Sequence, residues 1–256
     1  MASFLFRCCR SVAVLLLLAL PGLASATATN TLGVTPSTVL MGSQFNGTDL
    51  TVTGTVPAGA DVLVRLMGAP GELHLREKGK VFGLLWMNVG KVNLTNVPGV
   101  CLMHSSLPLP LLGKGAQPYR LESMVKAIGI EQEGGNPAID IPHELLLLKT
   151  KEGLYHEAAE GITMGEPTDG MRPFTAHIHV PSSLKPGEYQ VEAIAFQGDT
   201  SVGQSQTTIT ATLVGFPKWL SDLAYQKSML YGVMATVIAI VSGLVIGLVF
   251  QSKGAH

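Results

Sequence analysis

Residues 229–250 read MLYGVMATVIAIVSGLVIGLVF, 22 positions without a formal charge. As a helix rising about 1.5 Å per residue, this run extends about 33 Å, enough to cross a hydrocarbon core about 30 Å thick. A buried helix of a water-soluble protein can be as apolar, but hardly over this length without one charge. The run is therefore read as a transmembrane helix. Trp219, Tyr225 and Tyr231 crowd its N-terminal approach, where rings with a polar edge suit the headgroup layer. One face carries Ala235, Ala239, Gly243 and Gly247 at intervals of four. Such a strip of small side chains lets a second helix approach closely, whether from another copy of the chain or from a different membrane protein.

A second apolar segment lies at the other end. Arg7 and Arg10 precede the ten-residue run Ser11 to Leu20, followed by Pro21-Gly22 and then Ala24-Ser25-Ala26. A basic start, a short apolar stretch and a small-x-small site in this order form an export signal. Cleavage is expected after Ala26, with Ala28 nearly equivalent. Cys8 and Cys9 leave with it, and an uncleaved anchor would place the following domain on the same side. These two ends account for much of an unusual composition, 46% hydrophobic but only 14% charged, against about 25% charged in soluble domains.

Removing residues 1–26 takes two of 17 basic residues and none of 18 acidic ones, leaving a net charge of −3. No basic stripe remains, so nucleic acid is not an expected partner. Only Cys101 survives, so no internal disulfide can form. The exported domain must be held by its own core, with Cys101 expected inside it as a small apolar side chain.

Between the ends the pattern is β. Leu50–Val56 alternates and is rich in β-branched residues, Pro57-Ala58-Gly59-Ala60 turns the chain, and Asp61–Met67 follows as a strand. Leu73–Lys78 leads into an expected hairpin around Gly79, with further strands at Val81–Met87 and Lys91–Val97. Trp86, in such a region, is expected in the core; Asp49, Arg65, Arg76 and Asn88 are expected in turns or on the surface. Leu107-Pro108-Leu109-Pro110 cannot lie inside a central strand. Helical spacing then appears at Tyr119–Ile128, and again from Pro142 to about His156, separated by the loop Gly134-Gly135-Asn136-Pro137. The β pattern returns from Gly161, with Phe174–Val180 and Glu188–Phe196 joined through Pro186-Gly187, and then Val202–Leu213. Eight or nine strands at this spacing indicate a mainly β fold, an immunoglobulin-like sandwich with a helical insertion, plus the C-terminal transmembrane helix. The expected organisation is a signal at 1–26, one β-rich domain at 30–215 with its insertion at about 112–157 (two small β lobes being the other reading the pattern allows), a juxtamembrane segment at 216–228, the span at 229–250 and a tail at 251–256.

The motifs of common chemistries are missing from the sequence. There is no His-Glu-x-x-His, no Gly-x-Ser-x-Gly and no phosphate-binding Gly-Lys-Thr/Ser loop, so an enzyme is not expected and no cofactor is called for. His143-Glu144 and His156-Glu157 fall at a helix start and end. The best metal-like pair is His177 and His179, which share one face of a strand and could reach a single ion. Met164, Met171 and His156 are further donors if the fold gathers them, a set that would favour copper.

Several stretches resemble the alphaproteobacterial "putative transmembrane protein" family, and the resemblance runs over nearly the whole chain. They are Phe45-Asn46-Gly47-Thr48-Asp49-Leu50, Gly83-Leu84-Leu85-Trp86-Met87-Asn88, Gly153-Leu154-Tyr155, Pro186-Gly187-Glu188-Tyr189 and Leu230-Tyr231-Gly232. The resemblance implies a signal peptide, a periplasmic domain and one C-terminal span in the bacterial inner membrane, with the tail cytoplasmic. It also implies an association with transporters resembling sulfite or sulfonate exporters, and it supplies no catalytic residues. The expected function is thus a non-catalytic accessory in the bilayer, beside a transporter or a second copy. A periplasmic ligand- or metal-binding module is the alternative, and an envelope-assembly protein that pairs strand edges with another β domain is a third reading.

Overall fold

The computed structural model describes residues 32–251 apart from Glu160. The expected signal peptide therefore lies outside the described residues, as does nearly all of the tail.

Two sheets face each other. The first has four strands in the order β1 (Gly33–Thr35), β3 (Thr48–Pro57), β11 (Met171–Val180), β10 (Ile162–Met164). The second has six, in the order β2 (Thr38–Met41), β13 (Thr200–Leu213), β12 (Gly187–Gln197), β4 (Asp61–Gly68), β7 (Cys101–Ser105), β9 (Tyr155–Ala158). The chain enters on one sheet as β1, crosses, and pairs β2 parallel to the last strand, β13. This division of strands is that of the immunoglobulin-like sandwich. Tyr189, at the start of β12, donates its hydroxyl to the carbonyl of Lys185, 2.6 Å away. That contact is the tyrosine corner of such sandwiches, and it pins the turn through Pro186-Gly187. Two residues on, where antibody domains carry a disulfide cysteine, stands the fully buried Val191.

The sheets differ in what covers them. On β3, Leu50, Val52 and Val56 are buried while Thr51 and Thr53 face outward, so the first sheet has one face in water. The Phe174 ring of β11 lies against Gly54, where a Cβ would sit 2.7 Å from it. The second sheet is covered on both faces. Val191, Ala193 and Ala195 of β12 lie beside Leu66, Val64 and Val62 of β4 and face the first sheet. Glu192, Ile194 and Phe196 are buried on the other side by the helical insertion, whose Tyr119 meets Phe196 edge-on with ring centroids 5.8 Å apart. Continuous apolar runs such as Val62–Val64 and Ala193–Phe196 follow from that double burial.

The insertion opens with two 3-10 turns, Leu109–Leu112 and Lys114–Tyr119, and continues with α1 (Leu121–Lys126) and α2 (Ile141–Lys151). Asp140 caps α2 by accepting a hydrogen bond from the His143 amide at 3.2 Å, and Pro142 sits in its first turn. Leu109, Leu112, Leu121, Val125 and Leu145 join the same core as the strands. The second helix ends earlier than its spacing suggests. Gly153 takes a left-handed φ of 72°, and the chain straightens so that Tyr155 and His156 belong to β9, not to a helix.

The largest departure is a long hairpin between β4 and β7. β5 (Pro70–Val81) pairs antiparallel with β6 (Leu85–Pro98), and β8 (Gly129–Gly134), where the sequence pattern predicts no strand, adds a third. The reversal is not at Gly79. A bulge at Glu77/Lys78 carries the strand through that glycine, and the turn falls at Phe82-Gly83, both with positive φ. Val81–Met87 is therefore the tip of a hairpin and not a core strand. Trp86 is exposed, contrary to its expected burial.

After β13 come α3 (Phe216–Gln226) and α4 (Ser228–Gln251).

Candidate functional site

Three places bear on function: the anchor, the histidine face of β11, and the charged groups under the insertion.

The anchor starts at α3. Leu223 is buried while Phe216 and Trp219 are exposed and stacked, 5.6 Å between centroids. Lys218 and Asp222 pair at 3.2 Å, one turn apart on the polar side. An amphipathic helix with bare aromatic rings is suited to the plane of a membrane interface. α4 then extends for 24 residues. Its apolar side chains are bare of protein along the whole candidate span Ser228–Phe250. In water such a surface would be a severe cost; in lipid it is solvated. Ala235, Ala239, Gly243 and Gly247 lie on this uncovered helix. A Cβ added at Gly243 or Gly247 would meet no atom of the described chain within 4 Å.

His177 and His179 do share the water-facing side of β11, next to Thr51 and Asp49 of β3 in the register. His179 is already engaged: its Nδ1 donates to Asp49 Oδ1 at 2.7 Å. The other donors are not gathered there. His156 lies on β9, at the edge of the other sheet, with its ring 5.8 Å from that of His104. Met164 packs against the core from β10, and Met171 begins β11, six residues before His177. Among the described residues, no three His, Cys, Asp or Glu side chains are arranged to hold a metal ion.

Under the insertion, charges are spent on structure. A cleft of about 290 Å³ is lined by Arg120, Glu122, Leu146, Thr150, Tyr155, His156 and Glu157. Its Arg120 pairs with Glu157 at 3.1 Å, and the second oxygen of Glu157 accepts from the Leu121 amide at the start of α1. Deeper, Arg65 of β4 and Glu192 of β12, direct register neighbours, meet at 2.7 Å. The Arg65 guanidinium also lies 5.0 Å from the centre of the Tyr119 ring. Arg65 was expected at the surface. It is instead a partly buried contact between the sheet and the insertion, and the sequence carries no local sign of a partner 127 residues away. Cys101 is buried as expected, and burial pushes its thiol up to about 12, so it is protonated and unreactive at neutral pH. The Tyr155 hydroxyl donates to the Pro98 carbonyl at 2.8 Å; burial raises its pKa as well.

An immunoglobulin-like domain continued through an amphipathic helix into an uncovered apolar one defines a β-domain membrane protein with a C-terminal anchor. The chain belongs to the family described as "Putative transmembrane protein", whose model matches residues 31–252. No curated protein matches it. Among solved structures, one matching chain comes from work described as "Structural basis of T cell specificity and activation by the bacterial superantigen toxic shock syndrome toxin-1". It is 9% identical, covers 72% of this chain and 99% of its own length, and has a TM-score of 0.25, too low to argue a shared fold.

Proposed function

We propose that the protein is a single-pass, non-catalytic accessory of the bacterial inner membrane. In this reading a cleaved signal exports the chain, the β domain stands in the periplasm, and the tail stays in the cytoplasm. The span packs beside a membrane partner, for which a sulfite- or sulfonate-exporter-like transporter is the leading choice and a second copy the other. The observation that carries this reading is the uncovered strip Ala235, Ala239, Gly243, Gly247 on a helix that its own domain leaves bare. The engagement of Arg65, Arg120, Glu157 and Glu192 in ion pairs supports a structural use of the charges rather than a catalytic one.

Purification from native membranes in mild detergent tests it. A transporter should accompany the full-length protein. Gly243→Leu with Gly247→Leu should lower its recovery about tenfold, equivalent to roughly 1.4 kcal/mol of association. Leucine is at least as apolar as glycine, so the span still inserts. Equal recovery with the bulky pair would sink the helix-packing reading.

The alternative, a metal-binding module, rests on His177 and His179. With His179 Nδ1 held by Asp49, two imidazoles remain without a gathered third donor. Copper affinity of the full-length protein should therefore change less than about threefold, under 1 kcal/mol, on His177→Ala with His179→Ala. A loss of one hundredfold or so, about 2.7 kcal/mol, would favour the module.

A further inference from the structure

The tip of the β5–β6 hairpin is bare and apolar. Phe82 is 92% exposed, Leu84 83%, Leu85 62%, Trp86 67% and Met87 53%. Leu85, Trp86 and Met87 are consecutive on a strand, so they point to alternate faces of the hairpin. Both faces are therefore uncovered. A protein partner docking on one face would leave the other in water, whereas an isotropic apolar medium solvates both. Behind the tip sits a basic collar. Lys78 and Lys80 are its charged residues, Lys80 Nζ lies 5.4 Å from the centre of the Trp86 ring, and no acidic residue occurs from Lys78 to Gly90. Glu77, just before the collar, is turned to the loop after β8, accepting from the Asn136 amide at 3.0 Å. Aromatic and aliphatic residues ahead of lysines match an anionic bilayer surface in both depth and charge.

The register fixes where this hairpin leaves the domain. Tyr189, at the start of β12, is the partner of Gly68, the last residue of β4. Gly187 is the partner of Ala211, near the end of β13. The hairpin thus departs after Gly68 at the same end of the sandwich from which the chain passes through α3 into its anchor. It also returns there, at Cys101 opposite Met67. The 12 residues of β5 span about 40 Å, and α3, with 11 residues, about 16 Å. A bilayer entered by α4 is within reach of the tip.

We infer that the β5–β6 hairpin is a second membrane contact, inserting Phe82, Leu84, Leu85, Trp86 and Met87 into the outer leaflet of the bilayer that holds α4, with Lys78 and Lys80 at its anionic headgroups. The contact rests on the anchor but not on the partner proposed above. It holds the domain by two points and so restricts its tilt and rotation about the span.

The chain has only two tryptophans, Trp86 and Trp219, which makes the test direct. Full-length Trp219→Phe protein is reconstituted into phosphatidylethanolamine–phosphatidylglycerol vesicles, with and without bromine on the acyl chains. Trp86 emission should be blue-shifted and lose most of its intensity in the brominated vesicles. Phe82→Ser with Leu84→Ser and Leu85→Ser should restore a red-shifted, unquenched signal without moving the thermal unfolding of the domain, because those side chains touch none of its core. Trp86 emission quenched by aqueous iodide and indifferent to bromine overturns the proposal. Emission shielded from both and dependent on protein density overturns it too, and points to a second copy covering the tip. Trp86→Phe protein reads Trp219 in parallel. Bromine quenching there alone rejects the hairpin contact and leaves α3 at the interface; quenching at neither site rejects the hairpin contact and the seating of α3.

Discussion

Replacing Arg65 by alanine should destabilise the β domain by about 3–5 kcal/mol, the range for removing one member of a buried ion pair. The side chains of Arg65 and Glu192 are only 16% and 9% exposed and meet at 2.7 Å. Without the guanidinium, the Glu192 carboxylate is left inside the seam between β12 and the insertion, and the ring of Tyr119 loses the cation above it. Against a typical domain stability of about 5–15 kcal/mol, that is a large fraction. The midpoint of denaturant unfolding, followed by circular dichroism on the full-length protein in micelles, measures it. Arg65→Met combined with Glu192→Leu should recover most of the loss, since apolar groups of similar size need no partner. A cost below about 1 kcal/mol for the single change would mean that the pair behaves as a surface salt bridge.

Alkali should unfold the domain through Cys101 before it acts on most other groups. The thiol titrates near 9.0 when solvated and at about 12 in the fold, because burial disfavours the thiolate. Below pH 9 the thiol is protonated in both states and its contribution to stability is complete. Above pH 9 the unfolded chain releases the proton and the folded chain does not, so stability falls as pH rises toward 12. The loss is about 1.4 kcal/mol per pH unit, or about 4 kcal/mol over the window. Tyr155, also raised by burial from its ordinary 10.0, deepens the fall at the upper end. Cys101→Ala should flatten the curve between pH 9 and 10, where the tyrosine has not begun to contribute. A wild-type profile already flat from pH 9 to 11 would contradict the burial of the thiol. So would rapid maleimide labelling of the native protein at neutral pH.

How much was legible in the sequence depends on how local the deciding interactions are. β3, β11 and β13 could be read because alternation along a strand records, residue by residue, which side meets a core, and β12 because its continuous apolar run marks a strand buried on both faces. The turn through Pro186-Gly187 was legible from its residue types, but the Tyr189 hydroxyl that pins it to the Lys185 carbonyl came only from the structure. β8 and β9 were missed. Gly129–Gly134 is a polar strand that pairs by its backbone with β6, and Tyr155–Ala158 is short and follows a helix that a left-handed Gly153 ends. Trp86 was misplaced because its residue type favours burial on average, and the hairpin removes it from any core. The break in alternation from Phe82 to Met87 was the signal that should have marked a tip. The histidine pair was correctly placed on one face, but the commitment of His179 to Asp49 lies 130 residues away in the chain.

By itself, the sequence determined that a charge-free run of 22 residues must seek lipid, that alternating strands form a sandwich, and that Cys101 is a packing residue. Each follows from composition or spacing within a few turns of chain. Only the tertiary structure decided which face of the second sheet the insertion covers, that Arg65 and Glu192 are partners, and that the apolar hairpin leaves from the end that carries the anchor. Those outcomes depend on register between strands far apart in the chain, and burial across such contacts leaves no periodic trace in either segment alone.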